Sequence, residues 1–267
     1  MNSLTWIAAD GLAVAQRNLI KIKRVPEILV WVLLSPIMFV LLFAFVFGGA
    51  IDVAGLNYRE FLIAGIFAQT VVFGATYTGA GLAEDMQKGI IDRFKSLPMS
   101  RSAVLIGRTS SDIVYNVLSI AIMAGTGFLV GWRIRTSLWE ALAGFAILLL
   151  FSYGFSWVMA TVGLLVPSVE VLNNASFMVI MPLTFISNAF VPLETLPTPL
   201  RVFAEWNPVS AVTQAARNLF GNTSALAPVP DAWSMQNPEL YTLVWTVILV
   251  AIFAPLSVRL YKRAATR

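Results

Sequence analysis

Residues 84–108 read EDMQKGIIDRFKSLPMSRSAVLIGR and form a long polar, basic interruption in a chain made mostly of apolar runs. Four apolar residues within it recur at the spacing of one helical face: Ile90, Ile91, Phe94 and Leu97. Pro98 ends this pattern, because proline lacks the backbone N–H that a helix interior needs. The segment therefore predicts a short amphipathic helix over 90–97, a break, and a return into the apolar run that starts near Ala103.

The composition places this loop in a membrane protein. The chain is 58% hydrophobic and 12% charged, with a mean hydropathy of +0.79, whereas soluble domains carry about 25% charged residues. Apolar runs cover most of the 267 residues and leave no polar block long enough for a soluble domain. We therefore expect one all-α integral membrane domain over residues 1–267.

Six apolar segments have about the length, roughly 20 residues, that crosses a bilayer. These predicted spans are 28–49, 60–83, 104–131, 138–165, 173–193 and 239–260. Pro36 and Pro182 lie inside the first and fifth spans, where they predict kinks. Gly127 and Gly131 form a G-x-x-x-G pattern, which permits close helix approach.

The residues before the first span, 1–27, predict an amphipathic helix on the membrane surface. Leu12 and Leu19 share its apolar face, and Arg17 and Arg24 lie opposite, towards the lipid headgroups. A topogenic signal with no further function is the alternative, and the pattern leaves it open. No cleavable apolar core precedes this segment, so a signal peptide is not expected.

The distribution of basic residues predicts the topology. Thirteen of the 18 Lys and Arg lie in the N-terminal segment, the 84–112 region and the C-terminus, and five lie in the other connections. By the positive-inside rule, both termini and the polar loop face the cytoplasm of a multi-pass plasma-membrane protein. The 194–237 segment then faces outward.

Missing residue types narrow the function. The chain has no Cys and no His, so a membrane-embedded enzyme would lack its usual acids, bases, nucleophile partners and zinc ligands. The phosphate-binding pattern G-x-x-x-x-G-K-[ST] does not occur. No charged residue lies near the middle of a predicted span, where proton-coupled carriers usually need one. We expect no catalytic residue, metal or cofactor on this chain, and if it moves a substance uphill, a separate subunit must supply the ATP.

The amphipathic helix at 90–97 has two interpretations. Its apolar face packs on the ends of the chain's own transmembrane helices or lies in the lipid interface, or it inserts into a groove on a soluble partner. The residue pattern alone leaves both open.

A second informative stretch reads SNAFVPLETLP at 187–197 and continues to WNPVS at 206–210. Four prolines between 192 and 208 exclude a continuous helix there. We expect a plain loop over 222–238, and the family resemblance given next implies that the chain leaves the fifth span and forms short helices on the outward side.

Both stretches resemble a known family. The run GIIDRFKSLP at 89–98, with Arg101, Gly107–Arg108 and Asp112, resembles the cytoplasmic coupling segment of ABC-2 type exporter membrane subunits, in the daunorubicin-resistance branch. The 187–210 stretch and Arg217 resemble the outward-side signature of that family. There the coupling segment, here 84–103, contacts the ATP-binding subunit. The resemblance implies as contacts Glu84, Asp85, Gly89, Ile90, Ile91, Asp92, Arg93, Phe94, Leu97, Pro98 and Arg101.

The resemblance implies the permease subunit of an ATP-binding cassette exporter, which moves a hydrophobic or amphipathic drug or lipid-like cargo out of the cell. It also implies a separately encoded nucleotide-binding subunit, two copies of each chain and no nucleic acid. Polar residues in the spans are either interhelical contacts or the lining of a substrate path. The candidates for the path are Gln69, Tyr77, Tyr153, Asn173 and Asn188. A gradient-driven carrier with broken helices is the alternative, ahead of a lipid-modifying enzyme.

Overall fold

The computed structural model of the protein describes residues 34, 37–47, 51, 53, 55–90, 101–224, 226, 228 and 230–264. The secondary structure of these residues is helical, with no strand. The all-α prediction is therefore confirmed for the described part. Its helices, numbered along the chain, are α1 (Ile37–Val46), α2 (Tyr58–Gly74), α3 (Thr76–Gln87), α4 (Arg101–Leu129), α5 (Leu138–Leu165), α6 (Val169–Phe185), α7 (Thr198–Trp206), α8 (Pro208–Phe220), α9 (Trp233–Gln236) and α10 (Pro238–Ala264).

Four helical stretches are long and apolar enough to cross a membrane. They are Tyr58–Gln87, in which α2 runs into α3, and Leu105–Leu129, Leu138–Leu165 and Pro238–Arg263. They correspond to the second, third, fourth and sixth predicted spans. α1 and α6 are apolar but shorter, so the count of six spans stays a prediction. The predicted surface helix over 1–27, and Pro36 with its expected kink, lie outside the described residues.

The connections lie at two opposite ends of the bundle. The proximal end holds the end of α3, the start of α4, the connection from α5 to α6 and the end of α10. The distal end holds α7, α8, α9 and the connection from α4 to α5. The five arginines expected to share one side all lie at the distal end: Arg59, Arg133, Arg135, Arg201 and Arg217. The described basic residues of the other group lie at the proximal end: Lys88, Arg101, Arg108, Arg259, Lys262 and Arg263. Among the described residues the two groups are thus separated, while the side that faces the cytoplasm stays a prediction.

α2 lies at the centre of the bundle, packed by α4, α5 and α8. The α2–α3 span is 78% buried over its most apolar window, against 17% for the span in α10. Phe67 of α2 makes edge contacts with the rings of Trp132, Phe145 and Phe220. This aromatic cluster fills the distal half of the core, because each ring buries a large apolar area in a defined geometry.

Glycines let α2, α3 and α5 approach their neighbours backbone to backbone. A Cβ on Gly163 of α5 would lie 2.3 Å from the carbonyl oxygen of Gly79 in α3, and one on Gly65 would lie 2.0 Å from the carbonyl oxygen of Ala189. The G-x-x-x-G pattern does not make such a contact within the described structure. Gly131 lies beyond the end of α4 at φ +102°, with nothing within 4 Å of a Cβ. Gly131 is therefore not used for close packing within the described chain, and a role of the pattern in packing between helices stays a prediction.

The fifth predicted span, 173–193, is displaced from the helix found there, since α6 covers Val169–Phe185. Asn207 explains the early end. Its side-chain amide donates to the carbonyl oxygens of Leu183 at 2.7 Å and Ile186 at 2.8 Å, which a longer helix would bond to its own N–H groups. The predicted end at 193 is therefore wrong.

The proline-rich stretch forms α7 and α8, two short helices joined at a tight corner. Pro208 occupies the first turn of α8, where its missing N–H is not needed. Asn207 caps the same helix by accepting the Val209 N–H at 2.9 Å. Gly221 then ends α8 at φ +72°. α8 packs on α2, α5 and α10, so it is inserted into the distal end of the bundle. The loop expected over 222–238 contains the short helix α9.

Candidate functional site: the proximal loop and the arginine clamp

The proximal loop, residues 88–100, connects α3 to α4. Lys88 caps α3, and Gly89 follows in the left-handed region at φ +63°. The Lys88 ammonium lies 2.5 Å from a carboxylate oxygen of Glu84. This hydrogen bond and the carboxylate charge raise the pKa of Lys88. The start of the loop is thus tied to the last turn of α3.

The structure places the ends of the predicted coupling segment and not its middle. Glu84 is half-buried and Asp85 is buried, and Gly89 and Ile90 follow α3 at the proximal end. Arg101 begins α4. The remaining predicted contacts lie outside the described residues: Ile91, Asp92, Arg93, Phe94, Leu97 and Pro98. Contact of the 90–97 helix with an ATPase therefore stays a prediction.

Arg108 extends from α4 across to α3. Its Nη1 lies 4.0 Å from Asp85 Oδ2, and its Nη2 donates to the Tyr77 carbonyl oxygen at 3.2 Å. The guanidinium lies directly on Gly81, where a Cβ would be 1.4 Å from Nη2. Glycine at 81 is therefore required for this crossing.

Asp112 lies one helical turn further along α4 and faces the same neighbour. The Thr78 hydroxyl of α3 donates a hydrogen bond to Asp112 Oδ2. We call Asp85, Arg108, Asp112 and Thr78 the arginine clamp. All are largely buried, and burial of ions at this depth is tolerated only when opposite charges and hydrogen bonds compensate for lost hydration.

The arginine clamp joins the two helices that carry the proximal loop. The sequence analysis used Arg108 and Asp112 as part of a resemblance and missed their shared contact surface. Their i, i+4 spacing places them on one face of α4, and Gly81 and Asp85 have the same spacing on α3. This shared spacing on two helices joined by one loop was a sequence signal that the two faces could contact each other.

A second polar contact lies at the junction of α2 with α3. A Cβ on Gly74 would lie 2.2 Å from Asn116 Oδ1 of α4. Asn116 Nδ2 donates to Ser152 Oγ of α5 at 2.8 Å, and that hydroxyl donates to the Val71 carbonyl oxygen at 3.2 Å. Three helices are thus bonded where the long second span changes from α2 to α3.

The predicted path residues do not converge on one site. Gln69 is buried in α2, and the ring of Tyr77 in α3 contacts that of Tyr115 at a tilt of 56°, with ring centroids 5.1 Å apart. Tyr153 in α5 contacts Trp157. Asn173 is exposed on α6 near the proximal end. Asn188 lies at the distal end, where it lines a cavity.

Arg217 is the buried arginine of the distal end and is only 2% exposed. Its Nε donates to the Phe61 carbonyl oxygen at 2.9 Å, and its Nη2 donates to those of Asn188 at 2.6 Å and Ala189 at 3.3 Å. Its guanidinium carbon lies 3.6 Å from the centroid of the Phe61 ring. Arg217 therefore fastens α8 to the start of α2 and to the chain that follows α6.

Taken together, the apolar helical stretches, the inserted α8 and the buried charged clamp define a polytopic membrane protein of the transporter class. Known proteins narrow that class. Residues 11–220 match the family model described as ABC-2 type transporter. The chain therefore belongs to the ABC-2 type transporter family and is a membrane subunit of an ABC transporter.

Three similar proteins illustrate the match. The daunorubicin resistance ABC transporter permease protein DrrB1 of Streptomyces coeruleorubidus is 32% identical over 246 residues, covering 92% of this chain and 83% of its own. The probable doxorubicin resistance ABC transporter permease protein DrrC of Mycobacterium tuberculosis is 24% identical over 267 residues, covering 99% and 92%. The putative transport permease ycf38 of Porphyra purpurea is 25% identical over 215 residues, covering 79% and 74%.

Proposed function

We propose that this chain is the permease subunit of an ATP-driven exporter that moves a hydrophobic or amphipathic, drug-like or lipid-like cargo out of the cell. Family membership and the drug-resistance names of two relatives support the direction and the cargo class. The observation that carries the mechanism is the arginine clamp. Its residues bond the helix that enters the proximal loop to the helix that leaves it.

The clamp suits the transmission of force from a soluble partner. A separately encoded ATPase that engages the proximal loop would push on α3 and α4 as one unit. α3 packs on α5 through Gly79 and Gly163 with no side chain between the backbones, so the displacement would pass into the bundle. The α2–α3 junction at Gly74 is where α3 would tilt, because α2 is held at the centre. Such coupling requires that ATP and cargo each favour one of two states.

The proposal includes a defined assembly and topology. Two copies of this chain and two ATPase subunits form the complex, with the cargo pathway between the permeases. The proximal end and both termini face the cytoplasm, and the distal helices face outward, in agreement with the separation of charge between the two ends. ATP and Mg²⁺ bind the partner. Native mass spectrometry of the purified complex should show two copies of this chain.

Reconstitution tests the function directly. The permease is placed in vesicles with its ATPase, and uptake is measured for a panel of fluorescent hydrophobic amines, neutral glycosides and lipid analogues. ATP-dependent movement of at least one probe should stop when the ATPase is replaced by a hydrolysis-deficient variant. Movement that continues at the same rate on an ion gradient alone would establish the gradient-driven carrier instead.

A further inference from the structure

A cavity of about 580 Å³ opens at the distal end, between the α8 surface, the chain after α6 and the 222–236 segment. Its floor is apolar, with Leu56, Phe61, Leu193 and Met235. One face of α8 supplies a polar wall of Gln214, Arg217 and Asn218. This combination of an apolar floor and a few convergent polar groups is typical of a small-molecule site.

The polar wall is a directional chain of side-chain hydrogen bonds. Asn188 Nδ2 donates to Gln214 Oε1 at 3.1 Å, Gln214 Nε2 donates to Asn218 Oδ1 at 3.0 Å, and Asn218 Nδ2 donates to Glu239 Oε1 at 2.9 Å. An ionised carboxylate only accepts hydrogen bonds, so Glu239 sets the orientation of every amide in the chain. Asn188 must therefore donate through its nitrogen and keep its oxygen for another group.

Two polar atoms at the far end of this chain have no hydrogen-bond partner in the described structure. They are the Oδ1 of Asn188, an acceptor, and the Nη1 of Arg217, a donor. Both residues line the cavity and both are at least 97% buried. The two residues are in contact, since Arg217 Nη2 donates to the Asn188 backbone carbonyl oxygen at 2.6 Å. Their unpartnered atoms have almost no accessible surface, so a ligand reaches them when these side chains turn towards the cavity. A buried donor and a buried acceptor without partners carry a free-energy cost that a suitable ligand removes.

The chemistry of this pair selects among ligand groups. A carboxylate or phosphate accepts from Arg217 but faces the Asn188 oxygen with another acceptor. An ammonium donates to Asn188 but faces the positive charge of Arg217. A neutral hydroxyl both donates and accepts, so it satisfies the two atoms at once. We propose that the distal cavity binds the hydroxylated, uncharged head of an amphipathic molecule, with a hydroxyl at Asn188 and Arg217 and the apolar part on the Leu193 and Met235 side.

The role of this site, to hold the cargo head on its way out, rests on the proposed export function. The binding chemistry of the cavity does not depend on that function. It can therefore be measured on the purified permease in lipid nanodiscs, without the ATPase. Three probes share one decyl chain with a diazirine and differ in the head: a β-glucoside, a phosphate and a trimethylammonium. The readout is the saturation curve of photolabelling and the labelled peptides.

The glucoside should label residues 188–195 and 233–236 saturably, with an apparent Kd at least tenfold lower than either charged probe. Asn188→Leu should raise that Kd about tenfold, the effect of losing one buried hydrogen bond of about 1.4 kcal/mol. Asn174→Leu, at an exposed asparagine near the proximal end, is the matched control and should leave the Kd unchanged.

Equal labelling by all three probes, or saturable labelling that Asn188→Leu leaves intact, would overturn the site. Preference for the phosphate would make Arg217 an anion site instead. If Asn188→Leu does not fold, the position of labelling in the unmodified protein still tests the proposal. Glucoside labels away from the cavity would contradict it. Adding the ATPase and ATP separates the two proposals. Loss of bound glucoside on turnover assigns the head to the cargo, whereas stable occupancy with normal transport assigns it to a resident glycolipid.

Discussion

The two largely buried arginines, Arg108 at the proximal end and Arg217 at the distal end, have different partners. Arg108 donates to a backbone carbonyl oxygen, that of Tyr77, and faces the carboxylate of Asp85 on the neighbouring helix, with Asp112 one turn along its own helix. Arg217 donates to three backbone carbonyl oxygens and lies on the ring of Phe61. The first arrangement therefore includes an ion pair between side chains of two helices, whereas the second is made mainly with the backbone.

The difference indicates where the molecule can move. Hydrogen bonds between side chains re-form when helices shift, because both partners reorient. Hydrogen bonds to backbone carbonyl oxygens at helix ends hold the backbone itself in one position. We therefore infer a distal end that keeps one conformation and a proximal end in which α3 and α4 move as a pair. Four predictions test this contrast, beginning with the largest expected effect.

The two ends should lie on opposite sides of the membrane. The chain has no native cysteine. A single cysteine introduced at Lys88 or at Thr198 is therefore the one thiol on this chain that a reagent can label. An impermeant maleimide added outside intact cells should label Thr198→Cys completely and Lys88→Cys not at all. The reverse pattern would invert the topology, and labelling of both from outside would mean that the ends do not face opposite sides.

The proximal end should be where the partner binds. Phe94 and Leu97 belong to the predicted apolar face of the loop, and each side chain contributes roughly 1.5–3 kcal/mol when buried. Replacing both with Asp should weaken co-purification of the ATPase on the order of a hundredfold and abolish transport, because charge must also be desolvated. Membrane levels of the variant should stay near normal.

The matched control places two Asp residues at Leu200 and Phe203, exposed apolar positions of α7, and should leave ATPase binding unchanged. A Phe94 and Leu97 variant that keeps its partner and its transport would reduce the helix to a structural support. A variant that never accumulates in the membrane would favour packing of the helix on its own bundle.

The sequence predicted the long helices better than their contacts. Length and hydropathy decide whether a segment spans, so α5 has the predicted bounds of 138–165. The end of α6 depends on Asn207, which is distant along the chain, and periodicity does not report such a bond. Likewise, the i, i+4 spacing of Arg108 with Asp112 and of Gly81 with Asp85 indicates two faces but does not show that those faces meet. Polar residue type carries no information about depth, so the substrate path stays a prediction.

The two arginines should respond differently to removal. Arg217→Met removes the charged donor from the carbonyl oxygens of Phe61, Asn188 and Ala189, so the unfolding free energy should fall by about 3 kcal/mol. In an Asp112→Asn parent, the double variant Arg108→Met with Asp85→Asn leaves no charged group in the clamp, which is far less costly than leaving a buried charge unpaired. It should unfold within about 1 kcal/mol of the parent, yet lose about tenfold in transport while retaining ATPase binding.

Thermal unfolding in a fixed detergent and vesicle transport measure the two effects. Arg201→Met is the control for the distal end, since Arg201 makes a partly exposed pair with Glu205 on the same helix and should contribute under about 1 kcal/mol. Equal loss of stability in Arg217→Met and the double variant would remove the proposed contrast between a fixed and a movable end.

The smallest effect concerns the backbone contact between α3 and α5. Gly163→Ala places a Cβ 2.3 Å from the carbonyl oxygen of Gly79, and since backbone cannot swing aside, the helices must separate at a cost of about 1–3 kcal/mol. Gly125→Ala on α4 meets nothing within 4 Å and should gain up to about 1 kcal/mol from helix propensity. The unfolding free energy of each variant tests both predictions. Native mass spectrometry of each variant measures the fraction of dimer. A harmless Gly163→Ala would contradict the tight α3–α5 contact. A costly Gly125→Ala that also lowers the dimer fraction would show instead that a second copy covers this face of α4.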